Sequence, residues 1–229
     1  MNNKIVAVIP VKEKSDRVES KNFKPFIDGK SLFERKLDQL IESNSFDEIF
    51  ISSNSETAKK LAKERGVQYI DRSDDFCNNI VPWSDVIHEV VSSLPVSDVT
   101  SVAWCHTTSP FFSNFADAVN TYKELGDEYN GLVAVTRFNG FIVNEKCQPL
   151  NYSWGVWHKY SQFLDKLFSI SGALFIAKKM EMLKNRYVIS TNPLLYETDE
   201  LEAIDIDTPF DFEMAKLIHK NRDKLRINV

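Results

Sequence analysis

Two stretches of this sequence carry side chains whose types and spacing could do chemistry. The first follows the apolar run Ile5–Pro10. There Lys12, Lys14, Arg17, Lys21, Lys24 and Lys30 stand against Glu13, Asp16, Glu19 and Asp28, a locally basic segment in a chain of formal net charge −5. A short apolar run bounded by proline reads as a buried strand. Ligands of open α/β sheets bind beyond the carboxyl ends of the strands. These cations therefore emerge where an anionic ligand would sit, although a solvated loop accounts for the same composition. The second stretch is Asp205-Ile206-Asp207-Thr208-Pro209. In a strand, residues two apart share a face, and paired carboxylates there suit a hard cation such as Mg²⁺. A capping reading competes: Thr208 as N-cap, Pro209 as first helical residue, Asp211 as the third. It leaves Asp205 unexplained, because an acid at a buried strand end is costly without a cation.

Other candidates are weaker. His106-Thr107-Thr108-Ser109-Pro110 follows an apolar run and reads equally well as turn chemistry. Arg72 could bind phosphate or pair with Asp74 or Asp75. His88, His158 and His219 lack partners at metal-ligand spacing. No Walker, GxSxG, HExxH or GxGxxG motif is present, which argues against a Rossmann dinucleotide site.

Composition narrows the class. The 229 residues are 43% hydrophobic and include 16 phenylalanines, ample for one α/β core. The acidic balance argues against nucleic acid or a membrane surface as partner. The run Ile5–Val11 is too short to span a bilayer, and no signal-peptide pattern precedes it. Cys77, Cys105 and Cys147 make an odd set without CxxC spacing, read as free thiols in a reducing cytoplasm.

The elements that must position these residues alternate. Strand 5–10 precedes a helix at 32–44, with Ser31 and Glu34 as a capping box and Phe33, Leu37, Leu40 and Ile41 on one face. Strand 48–52 leads to a helix opened by Ser55 and closed by Gly66. A strand at 67–70, an irregular stretch 71–83, a helix from Ser84 and a strand 100–105 follow. Ser113 is expected to cap a helix bearing Phe115, Val119 and Tyr122. Further strands are expected at 131–136, 173–177 and, last, 203–206, with a final helix from Pro209. This order predicts an α/β fold with a mainly parallel sheet and helices on both faces. The stretch 137–170 is aromatic and aperiodic, with Trp154, Trp157 and Tyr160. It reads as a site cover or an oligomer interface, or as a loop-rich patch packed on its own domain.

Taken in order, these pieces resemble the acylneuraminate cytidylyltransferases (CMP-sialic acid synthetases) and their relatives acting on other nonulosonic acids and Kdo. That family opens with IPAR and a loop ending in KN and Pro; here stand Ile9-Pro10-Val11-Lys12, Ser15, Lys21-Asn22 and Pro25. Its STD corresponds to Ser52-Ser53-Asn54, its arginine loop and VIHAL helix to Arg72 and Val86–Val90. Its QPTSPLR turn corresponds to His106–Phe112, NGAIYI to Ser171–Ile176, and IDIDTPED to Ile204–Asp211. The resemblance implies a glycosyltransferase-A-like nucleotidyltransferase fold, one cytidylyltransferase domain over 1–229, with a dimerisation insertion at about 137–170. It implies a cytoplasmic homodimeric enzyme that couples CTP to a sugar acid and releases pyrophosphate, with Mg²⁺ on Asp205 and Asp207. Lys21 and the two aspartates would be catalytic. Lys12, Ser15, Lys21, Asn22 and Arg72 would bind the nucleotide; His106, Thr108 and Ser109 would face the acceptor. The chain departs from the pattern at Lys12, Asn54, His106, Phe112 and Ser171. Most of these departures lie on the acceptor side, and they leave open a different acceptor or nucleotide, or an inactive nucleotide-binding homologue.

Overall fold

The computed structural model of the chain describes residues 4–15 and 17–225; Asp16, one of the acids of the basic loop, lies outside them. Among the described residues seven strands form one sheet: β1 (Ile5–Pro10), β2 (Glu48–Ser53), β3 (Gln68–Asp71), β4 (Ser101–Trp104), β5 (Gly131–Phe138), β6 (Leu167–Lys178) and β7 (Pro193–Glu197). Their order is β3-β2-β1-β4-β6-β5-β7. β6 is antiparallel to both neighbours, and every other pairing is parallel. The carboxyl ends of β1, β3, β4 and β7 therefore open at one edge. The loops that follow them hold the basic segment, Arg72, His106 and the aspartate pair.

Among the described residues there are six helices, α1 (Leu32–Ser43), α2 (Glu56–Arg65), α3 (Trp83–Ser92), α4 (Phe115–Lys123), α5 (Lys179–Asn185) and α6 (Pro209–Leu225), the first five packed on the sheet. Alternation along β1 assigns them to faces. Ile5, Ala7 and Ile9 pack with Phe33, Leu37 and Leu40 of α1, Ala58 and Ala62 of α2 and Phe115 of α4. Val6 and Val8 pack on the other face with Val86, Ile87 and Val90 of α3 and Met182 of α5. A third cluster joins the basic loop to the C-terminal helix. Val18, Phe26, Ile27 and Leu32 bury against Ile206, Phe212 and Ala215, with the Phe26 and Phe212 rings 5.0 Å apart.

Local chemistry sets most boundaries. Ser31 and Glu34 form the expected capping box, Ser55 caps α2, and Gly66 ends it in the left-handed region at φ +68°. Thr208 and Asp211 form a second reciprocal cap: Asp211 Oδ2 accepts from the Thr208 backbone at 2.7 Å, and Thr208 Oγ1 from the Asp211 backbone at 3.2 Å.

Several expectations are corrected. No strand forms at 203–206; the segment is a turn and an irregular stretch. Its alternation is real in burial, since Ile206 is fully buried, but no strand lies alongside and Ile206 N donates instead to Thr108 O. The last strand is β7. Ser113 does not cap α4; Asn114 holds that position and spends its amide on Glu202. α3 begins one residue early, at Trp83 after Pro82. β5 and β6 extend into the aromatic stretch as a long antiparallel hairpin, pairing Val135–Phe138 with Leu167–Ile170. Ile41 sits at the margin of α1's buried face and is 37% exposed.

One core residue breaks the hydrophobic pattern. Lys36 of α1 is fully buried, and its ammonium donates to the carbonyls of Ser109 at 2.9 Å and Phe112 at 3.1 Å. Burial lowers its pKa from 10.5 to about 7; Cys105 and Glu202 oppose the shift and Arg35 adds to it. Below pH 7 both folded and unfolded chains hold the proton, and the folded state bears the whole cost of the buried charge. Between about 7 and 10.5 the unfolded chain binds the extra proton, so raising the pH favours folding. Urea titrations at pH 7 and 9.5 should show the wild type gaining on the order of 2–3 kcal/mol more than Lys36→Met over that interval. Equal gains would place the Lys36 pKa near its ordinary value.

Candidate functional site

At the shared carboxyl edge lies a cavity of about 620 Å³. Pro10 closes it at the end of β1. The loop after β1 contributes Lys12, Ser15, Arg17, Lys21 and Asn22, and that after β3 Arg72 and the wall from Phe76 to Val86. The loop after β4 adds His106, Thr107 and Thr108, and the segment before α6 adds Asp205 and Asp207.

Lys21 is the junction of the site. It is 7% exposed, its ammonium donates to Ile206 O at 2.7 Å, and it lies 3.6 Å from Asp207 Oδ1. Burial lowers its pKa, while the charges of Asp207 and Asp205 pull it back up. Arg17 reaches the same Asp207 oxygen at 2.7 Å from an exposed position. The Asp205 carboxyl is held above the usual carboxylate range, first by desolvation. The Thr108 hydroxyl bonds to it and lowers its pKa, and the Asp207 charge raises it.

The remaining loop residues brace one another. The Asn22 carboxamide donates to Lys12 O at 3.1 Å and accepts from the Thr107 hydroxyl at 2.7 Å. Arg72, buried, donates to Val11 O at 3.0 Å and to Cys77 Sγ at 3.1 Å. Lys12 Nζ reaches Asn79 Oδ1 at 2.8 Å. Asn54 lies behind the cavity and links Glu13 N to Asp74.

His106 is locked as a neutral ring. Its Nε2 accepts from the Trp104 indole at 2.7 Å, so the proton sits on Nδ1, facing Gly172, to whose backbone the ring is hydrogen-bonded. Burial lowers its pKa to about 4; the bond to Gly172 opposes this, and the charges of Lys36 and Lys21 add to it. Gly172 lies at φ +72°, a conformation that favours glycine.

The structure thus brings Lys12, Ser15, Lys21, Asn22, Arg72, His106, Thr108, Asp205 and Asp207 to one cavity. Ser109 is not among them. It is fully buried, with its hydroxyl on Ser171 O and its carbonyl on Lys36. Phe112 is likewise a core residue, 4.9 Å from the Phe115 ring, and does not face the acceptor side. Sequence reasoning missed Arg17 as a partner of Asp207. It also missed the apolar wall Phe76, Ile80, Val81, Pro82 and Trp83, whose only signal was a proline beside exposed apolar residues in an irregular stretch. Lys14 is exposed, outside the cavity.

The aspartate pair fits a hard cation. Both carboxylates line one cavity, and Asp205 is exposed there; the cost of a buried acid expected from the sequence does not arise, and the fit rests on two acids two residues apart on one open cavity. Among the described residues no group of three or more His, Cys, Asp and Glu could hold a metal alone. Mg²⁺ commonly takes one or two carboxylates and completes its shell with water and phosphates. All three cysteines are free thiols, and among the described residues no helix is long and apolar enough to cross a membrane.

A family model described as Cytidylyltransferase matches residues 6–222. N-acylneuraminate cytidylyltransferase of Escherichia coli is 26% identical over 100% of this chain and 55% of its own length. Pseudaminic acid cytidylyltransferase of Campylobacter jejuni is 25% identical over 95% of this chain and 97% of its own. The chain thus spans about half the length of its N-acylneuraminate relatives. Among solved structures, CMP:2-keto-3-deoxy-manno-octonic acid synthetase complexed with CTP superposes with TM-score 0.65 at 11% identity, covering 96% of this chain and 99% of that one. A 4-diphosphocytidyl-2C-methyl-D-erythritol synthase gives TM-score 0.68 at 12% identity, covering 96% and 99%. The chain belongs to the cytidylyltransferase family.

The locked imidazole is testable without any ligand. Nitrogen-detected NMR should show the Nδ1–H tautomer at His106 and no titration between pH 5.5 and 8. A midpoint near the ordinary histidine value would refute the lock.

Proposed function

We propose that the chain is a nucleotidyltransferase that couples CTP to the anomeric hydroxyl of a sialic acid or related nonulosonic acid, giving a CMP-sugar and pyrophosphate. The observation that carries this is Lys21, buried between Ile206 O and Asp207 in a cavity that also holds Lys12, Arg17 and Arg72. The activities in the names of the relatives give the acceptor class.

The chain's own residues account for the main demands of the reaction. Attack on the α-phosphorus must be in line, and negative charge builds on the departing pyrophosphate. Catalysis is then mostly positioning and cationic stabilisation. Lys21, preorganised by its two partners, supplies fixed positive charge. Lys12 and Arg17, on the same loop, extend it along the triphosphate. Asn22 and Arg72 act by holding that loop, through the carbonyls of Lys12 and Val11. Ser15 stands in the lining within reach of a phosphate chain. Asp205 and Asp207 would hold Mg²⁺, which when bound neutralises the nucleotide's phosphates and favours the attacking hydroxyl's ionised form.

The acceptor side points away from a simple match to N-acetylneuraminate. Both His106 nitrogens are engaged by the protein, so the ring shapes the pocket rather than bonding the sugar acid. Thr108 lowers the Asp205 pKa and brings the turn up to the aspartate pair. N-acetylneuraminate is therefore expected to be a poorer substrate than another nonulosonic acid. We also assign a homodimer to the β5–β6 hairpin and the segment 139–166. These expose Phe141, Trp154, Val156, Trp157, Tyr160 and Phe163, with Trp157 77% exposed. Exposed aromatic clusters of this kind mark interfaces.

Pyrophosphate release with CTP, Mg²⁺ and a panel of sugar acids tests the reading; no release with any acid would overturn it. Lys21→Ala should lower turnover on the order of a hundredfold or more, whereas Lys14→Ala should change it little. Asp205→Asn and Asp207→Asn should each remove most activity, and EDTA should abolish it until Mg²⁺ is restored. Full activity in EDTA would sink the metal assignment. Sedimentation should find a dimer at micromolar concentration, weakened by Trp157→Ala.

A further inference from the structure

One wall of the cavity has no part in the charge chemistry. Phe76, Ile80, Val81, Pro82 and Trp83 line it, with Asn78 and Asn79 among them. Ile80 is 89% exposed and Trp83 48%, so this is open apolar surface inside an otherwise ionic site. Its shape is fixed. The Asn78 side chain accepts from the backbone of Ile80 at 2.8 Å and of Val81 at 3.1 Å and donates to Asp75 O at 2.8 Å. Trp83 meets the fully buried Trp104 ring edge-to-face, with centroids 5.8 Å apart and planes at 90°, and its centroid lies 6.2 Å from that of His106. These neighbours orient the indole while leaving almost half of it open. The wall also adjoins the cations, because Asn79 is bonded to Lys12.

A phosphate chain has no use for an indole; the CH face of a sugar ring can pack on one, but the cations beside this wall, reached through Asn79 and Lys12, favour the nucleotide. The part of a nucleoside triphosphate that suits a rigid, open aromatic ring beside cations is its base. We propose that Trp83 is the stacking platform for the nucleobase of the bound nucleoside triphosphate, an inference that rests on the nucleotidyltransferase reading. The base packs on the indole, and the phosphates run past Asn79 and Lys12 toward Lys21. Stacking on an aromatic side chain is open to every base. Trp83 therefore contributes affinity for a base as such, and the choice of cytosine falls to groups that meet the base edge.

Equilibrium binding of CTP, UTP and inorganic tripolyphosphate, all with Mg²⁺, to wild type, Trp83→Ala and Trp83→Phe tests this. Thermal unfolding of each variant checks that the fold survives. Trp83→Ala should weaken CTP about ten- to a hundredfold and weaken UTP by the same factor. Trp83→Phe should stay within a few-fold of wild type, and tripolyphosphate should bind all three proteins equally. Unchanged CTP affinity in Trp83→Ala, or an equal loss for tripolyphosphate, would overturn the stacking role alone. A wild-type protein that binds no CTP would overturn the nucleotide reading and this proposal with it.

Discussion

The ammonium of Lys21 is the constraint on which the rest of the site depends. It is buried, so it must find partners. It finds the Ile206 carbonyl and the Asp207 carboxylate, 185 and 186 residues away in the chain. A charge-assisted bond of this kind is worth roughly 1.5–3 kcal/mol, and removing its acceptor strands a buried charge at greater cost. The basic loop and the aspartate segment are thereby held as one unit. The Arg17 contact to the same oxygen is solvent-exposed and adds little by itself. It places a second cation where an anionic ligand would enter.

Two packing devices keep that junction in place. The cluster of Val18, Phe26 and Leu32 with Ile206 and Phe212 ties the loop to the start of α6, so Asp205 and Asp207 are set by a helix that begins directly after them. On the other side, α1 grips the turn after β4: Lys36 holds Ser109 and Phe112 while Arg35 and Gln39 both donate to Pro110 O. That turn presents Thr108 to Asp205 and its carbonyl to Ile206 N. Three carbonyls of a turn that lines the cavity are thus fixed by side chains from a helix that never reaches it.

Much of this was legible in the sequence, and the parts that were not share a physical cause. Ser31 with Glu34, Ser55 with Gly66 and Thr208 with Asp211 announce helix ends because their chemistry is local. The apolar run of β1 followed by lysines announces a ligand edge for the same reason. The segment 203–206 misled because alternating burial is a property of side chains, whereas a strand needs a neighbour to pair with, which only the assembled sheet reveals. Ser109 and Phe112 sit in a turn whose flanking residues face the cavity; which way each points depends on Lys36, a lysine whose burial no spacing rule suggests. Trp83 lay in an irregular stretch, and only the fold brings it against Trp104 and the mouth of β4. The resemblance to the family named polar residues most of which the fold gathers at one cavity, but gave no account of this wall.

The central claim is that Lys21 and Asp207 act on the nucleotide as one unit. The direct measurement is equilibrium binding of CTP with Mg²⁺ to Lys21→Met, Asp207→Asn and the double variant. Coupled residues depart from additivity by about 0.5–3 kcal/mol. The account predicts a double variant little worse than the weaker single one. Losses that multiply across the two substitutions would show that the residues act independently, and would contradict it.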